Sequence, residues 1–201
     1  MKLYIGIWCL FLLVHSVPGH AQAADEHNQL LTAQHQVERL HDTLIRVMQL
    51  QDQSAREAAL EPVITEVFDV KNIARISVGR TWRTITQDQQ HKLVTDLRTL
   101  IVATYADRFD SYNQQKFQTE EVLSVKTGPV IKTRLVRVDD EPVSLDYYLR
   151  SDGVFNVVAD GVSDLSLRRA DYNSIIKQQG FDALMQYIAE KIDEARNAPA
   201  S

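Results

Sequence analysis

Ser163 lies in Gly161-Val162-Ser163-Asp164-Leu165, where the sequence comes near the turn that presents a catalytic hydroxyl. Such a nucleophile needs a base beside it and a glycine-flanked elbow to expose it. The second glycine is missing, and no histidine follows His91, so a base must come from His27, His35, His41 or His91. Ser163 therefore reads as a turn or cap residue. The same histidines make a poor metal set. They are spaced eight, six and fifty residues apart, with no H-x-x-x-H and no cysteine cluster. His35 and His41 read as solvated residues of a polar-rich helix. Asp139, Asp140 and Glu141 would serve glycosidic chemistry only across a cleft, whereas their place before Pro142 marks a solvated turn. Neither G-x-G-x-x-G nor G-x-x-x-x-G-K-[ST] is present to cradle phosphates. The expectation is a protein that is no enzyme and holds no metal or cofactor.

The elements that carry these residues fall into helices, then strands, then helices. Leu30, Val37, Leu40, Leu44, Val47 and Met48 recur at helical spacing with charged residues between them. A second helix is predicted over Ala55–Val67, with Ser54 and Glu57 as a capping box and Pro62 inside. A short helix over Asp69–Val78 stops at Gly79. Thr86 and Gln89 form the clearest start signal, ahead of Leu93, Leu97, Leu100, Ile101, Tyr105, Phe109 and Tyr112. From Phe117 to Val162 the period becomes two, most plainly in Val143, Leu145, Tyr147 and Leu149. Turns are marked by Gly128-Pro129, Asp139 to Pro142 and Asp152-Gly153, which gives three or four antiparallel strands. Asp171–Gln179, closed by Gly180, and a stripe of Leu184, Ile188, Ile192 and Ala195 return the pattern to helix. This order predicts an α+β fold.

Lys2, the apolar run Leu3–Val14 and Ala21-Gln22-Ala23 resemble a secretory leader cleaved after residue 23. Twelve apolar residues at about 1.5 Å each cover only roughly 18 Å of a roughly 30 Å hydrocarbon layer, which disfavours a membrane anchor. The remaining residues 24–201 suit a single domain, with a frayed tail from Ala195. Removing Lys2 leaves 21 Lys+Arg against 27 Asp+Glu, a formal charge of −6 that argues against nucleic acid as a partner. The only cysteine, Cys9, leaves with the leader, so stability must come from packing.

Three segments in order resemble the Mla-type, or toluene-tolerance, family of periplasmic lipid-binding proteins. They are Phe68-Asp69-Val70 through Ala74-Arg75-Ile76-Ser77-Val78-Gly79-Arg80-Thr81-Trp82-Arg83 to Gln90, Thr104 to Tyr112, and Val157-Val158-Ala159-Asp160-Gly161-Val162-Ser163 running to Leu184. Phe109-Asp110-Ser111-Tyr112 and the stretch from Ser163 to Tyr172 are most similar to the hopanoid-associated HpnM branch. One departure is Phe155, where family members usually carry tryptophan in the strand before the G-V-S turn.

The resemblance implies a twisted antiparallel sheet wrapped by helices, with an apolar cavity between them for lipid chains. It implies a periplasmic carrier of phospholipid or hopanoid that works between an inner-membrane ABC transporter with an MCE-type subunit and an outer-membrane lipoprotein complex. The expected cavity lining is Ile73, Ile76, Trp82, Leu97, Ile101, Tyr105, Phe109, Tyr147 and Val157, apolar residues on inferred inward faces near the family segments. Lys71, Arg75, Arg80 and Arg83 gather positive charge at the motif turn, suited to a phosphate or a partner's acidic rim. The alternative is a docking module of a membrane complex, its interior filled by its own side chains.

Overall fold

Four of the helices begin at a side chain that accepts from a free N–H group, and these caps fix where the elements fall. The computed structural model describes residues 19–138 and 141–198. Helix α1 covers Gly19–Val47 and turns Val37, Leu40, Leu44 and Val47 inward with no exposed surface. The expected leader lies outside the described residues except for Gly19–Ala23, which begin α1. Helix α2, Gln53–Val67, is capped by Asp52, which accepts from the Ala55 N–H at 2.9 Å. Ser54, expected as the cap, instead donates its hydroxyl to Asp52. The cap thus lies two residues earlier than expected, where a charged acceptor takes the Ala55 N–H. Pro62 and Ala58, whose carbonyl it leaves without a donor, both lie on the exposed face, where water can reach that oxygen.

Helix α3, Val70–Val78, starts at Asp69 and ends at Gly79, whose φ of +56° suits a residue without Cβ. A 3₁₀ turn over Gly79–Arg83 leads to α4, Gln87–Arg108, where both bonds of the Thr86–Gln89 capping box form at 3.2 and 2.9 Å. The helix stops at Arg108 rather than running to Tyr112, which is exposed.

Five strands follow in a plain antiparallel meander: β1 Lys116–Val125, β2 Gly128–Val136, β3 Val143–Arg150, β4 Gly153–Ala159 and β5 Val162–Ser163. That is one more than expected, because the G-V-S turn adds a two-residue edge strand. The expected turn at Asp139 and Asp140 falls outside the described residues. Gly153 is required by close approach: at φ +121°, a Cβ there would lie 2.3 Å from the Val67 carbonyl oxygen. There the end of α2 is tied to β4, with Asp69 N–H donating to the Val154 carbonyl at 2.9 Å.

Helix α5 covers Asp164–Gln179 and α6 covers Phe181–Arg196, joined at Gly180. The start of α5 lies seven residues before the expected Asp171, because only Leu165 and Tyr172 are buried and the helical period is too thin to read. Helices α1, α2, α3 and α5 pack on the sheet, and α4 packs against α2, α3 and α6.

Candidate functional site

Between α4 and strands β2–β4 the packing opens into a cavity of about 760 Å³, within the roughly 300–1,000 Å³ typical of ligand pockets. The capped start of α4 sets the helical phase that turns Ile101 and Tyr105 to it. The alternation on β3 sets Val143, Leu145 and Tyr147 on the opposite wall, with Val157 and Ala159 beside them from β4. Phe109 and Met48 close the ends of α4 and α1. The floor is thus apolar, while Arg108, Arg137, Arg168, Asp110 and Asp164 stand among the lining residues and supply charge.

An aromatic chain frames this space. Phe68 meets Tyr105 edge-on at 5.8 Å, Tyr105 stacks with Phe109 at 5.8 Å, and Phe109 lies 6.1 Å from Phe117. Phe117 in turn stacks on His41 at 4.0 Å and 8° between planes. His41 is therefore buried, contrary to the expectation of a solvated helix residue. Its Nε2 lies 3.1 Å from the Tyr147 hydroxyl, and burial pulls the imidazole down to about 3, so the ring is neutral at physiological pH. Only packing across the sheet reveals this. His41 falls on the inward stripe of α1 beside Leu40 and Leu44, which is the signal the sequence offered.

Burial pushes the Tyr105 hydroxyl well above the usual tyrosine range, with Asp164 adding to it, so it remains a neutral donor. Arg56, missed as a structural residue, is buried at the far end of α4. Its guanidinium donates to the Ala106, Leu50 and Gln51 carbonyls and to Gln53 Oε1, which satisfies it without an acid.

Of the nine expected lining residues, Ile101, Tyr105, Phe109, Tyr147 and Val157 border the cavity. Ile73 and Leu97 are buried in the closed core, and Ile76 and Trp82 pack half-buried at its edge. Lys71, Arg75, Arg80 and Arg83 are exposed on α3 and the turn after it, and none borders the cavity. Phe155 lies under the Arg150 guanidinium at 4.3 Å, away from the cavity lining. Ser163 caps α5, accepting from Ser166 N–H at 3.1 Å and donating to Asn156 Oδ1 at 2.9 Å. Among the described residues no group of three metal-ligating side chains assembles, and no helix is long and apolar enough to cross a membrane.

Fold and cavity together define a class: an α+β domain whose helices roof an antiparallel sheet and leave an apolar space between the two. The MlaC protein family model matches residues 36–190, and the chain belongs to that family. The solved structure of a phospholipid-binding protein from Ralstonia solanacearum, in complex with a phospholipid, shares 20% identity and a TM-score of 0.70, covering 81% of this chain and 98% of that one. At that identity the likeness shows a common fold. No curated protein matches the sequence.

Proposed function

We propose that the chain is a carrier that holds phospholipid acyl chains in the cavity between α4 and the sheet and takes them through the periplasm. The observation that carries this reading is a cavity with an apolar floor in a member of the MlaC family. Its physical need is plain. A two-chain lipid exposes about thirty methylenes on leaving a bilayer, a cost of roughly 25 kcal/mol at about 0.8 kcal/mol each. Only apolar walls of comparable area make passage through water feasible. The cavity's size suits chains lying between the Ile101–Phe109 wall and the Leu145–Val157 wall, with the polar group at the charged rim. The Ralstonia protein of the same fold binds a phospholipid, which supports that cargo.

On this reading residues 1–23, which include the first five residues of α1, are an export leader that is removed. The carrier works between an inner-membrane ABC transporter with an MCE-type subunit and an outer-membrane lipoprotein complex, and a hopanoid is the alternative cargo. The test is expression of the full chain with its leader, purification from periplasm without detergent, and native mass spectrometry followed by solvent extraction. Stoichiometric phospholipid is the expected result. An empty protein, recovered from a host that makes both lipid classes, overturns the carrier in favour of a docking module.

A further inference from the structure

Arg168 is the least explained polar group at this cavity. It lies in the second turn of α5, and its side chain is only 15% exposed. Nη1 donates to the Tyr172 hydroxyl at 3.3 Å and Nη2 to Asp164 Oδ2 at 2.9 Å, while the buried Nε–H has no acceptor among the described residues. Nε and Nη2 form one edge of the guanidinium, the edge that takes a carboxylate or phosphate with two parallel bonds. Asp164 therefore fills half of a two-point site. Its carboxylate is 58% exposed, so a turn to solvent would break the bond to Arg168 and little packing.

Two further donors face the same end of the cavity. Arg108, in the last turn of α4, is exposed and forms no hydrogen bond or ion pair with a described residue. Tyr105, one turn before it, also borders the cavity, and its hydroxyl forms no hydrogen bond with a described residue. Asp110 on the rim and Asp107, Asp171 and Glu194 in the adjoining groove oppose an anion, so the site is selective for a strong acceptor rather than generally attractive.

We propose that this end of the cavity is a phosphate seat for a glycerophospholipid. The phosphate takes the Nε and Nη2 of Arg168 once Asp164 swings away, with Arg108 as the second cation and the Tyr105 hydroxyl as a neutral donor. Asp164 is the tether that holds Arg168 in place while the cavity is empty. The inference rests on the carrier reading and sharpens it, because an uncharged polycyclic lipid has nothing to offer this fork. The cationic groups that read the cargo are then those of α4 and α5, not those around Arg80.

The experiment uses the full chain incubated with vesicles of phosphatidylglycerol mixed with diacylglycerol, then re-isolated for lipid analysis. Wild type is expected to take the phospholipid in preference. R108Q and R168K are each expected to lower the ratio of phospholipid to diacylglycerol about tenfold, the scale of one charge-assisted hydrogen bond. D164N, which frees the fork, raises that ratio. Wild-type ratios in R108Q and R168K overturn the seat while leaving the carrier intact. Because Arg108 is exposed, R108Q carries the test even where a change at Arg168 disturbs folding. Inorganic phosphate that raises the melting temperature of wild type as much as phosphatidylglycerol does would assign the site to a free anion and also overturn the proposal. A wild type that takes neither lipid removes the carrier reading itself.

Discussion

Helix α4 passes through two regions that differ in how apolar surface is used. Along its first half it packs on α2 and α6, where Leu60, Ile64, Leu93, Leu97, Leu184 and Ile188 have no exposed surface. Along its second half the same stripe continues as Ile101, Tyr105 and Phe109, and faces a space of about 760 Å³ across from the sheet. Aliphatic side chains at helical spacing interlock and close the first region. In the second, rings brace one another along the wall, from Phe68 through Tyr105 and Phe109 to Phe117, and hold it open. An apolar stripe therefore does not by itself specify a filled core; what faces it decides.

The largest effect expected from this contrast is on L97A. Truncation in the closed seam removes about three carbons with no room to relax, and should cost about 3–4 kcal/mol in urea unfolding. I101A, whose side chain already borders open space, should cost about half as much or less. Equal losses would mean that the two halves of α4 are packed alike and that the cavity closes in solution.

A second effect separates the regions by pH. His41 lies where α1 meets β1 and β3, stacked on Phe117 and bonded to Tyr147, with Glu38, Asp42 and Lys116 along the same outer groove. Burial holds its pKa at about 3, below the ordinary 6.5. The unfolded chain thus binds a proton between these values that the folded chain refuses, so stability rises with pH across this window and is lost as pH falls from about 6.5 toward 3. At pH 4.5 the loss should be about 2–3 kcal/mol relative to pH 7. In H41Q this part of the pH slope should vanish, whatever the variant's stability at neutral pH. A slope unchanged from wild type would mean that the imidazole is solvated as the sequence suggested.

These two cases show why the fold was more legible than the site. The Thr86–Gln89 capping box and the alternation of Val143, Leu145, Tyr147 and Leu149 are local signals, and both elements form where they point. The helical period also gave the inward face of α4 correctly. It could not say where along that face the packing opens, which is why Leu97 and Ile101, one turn apart, have different surroundings. The burial of His41 depends on Phe117 and Tyr147, far along the chain, and the half-used guanidinium of Arg168 depends on where α5 starts. Those are tertiary facts that residue type does not reveal: histidine is intermediate in burial and arginine mostly exposed.

The smallest change in stability should be the most informative about function. Enlarging Val63 to phenylalanine, inside the packed face of α2, forces side chains off their rotamers and should cost about 1–3 kcal/mol. Enlarging Val157 to phenylalanine adds the same atoms to the cavity wall, where there is space for them, and should change stability by less than about 1 kcal/mol in either direction. If the space serves a ligand, V157F should nonetheless lower bound lipid in native mass spectrometry, because the new ring takes volume that acyl carbons need. Undiminished lipid in a fully folded V157F would show that the chains lie elsewhere. The void between α4 and the sheet would then be a packing defect tolerated by the fold, rather than the reason for it.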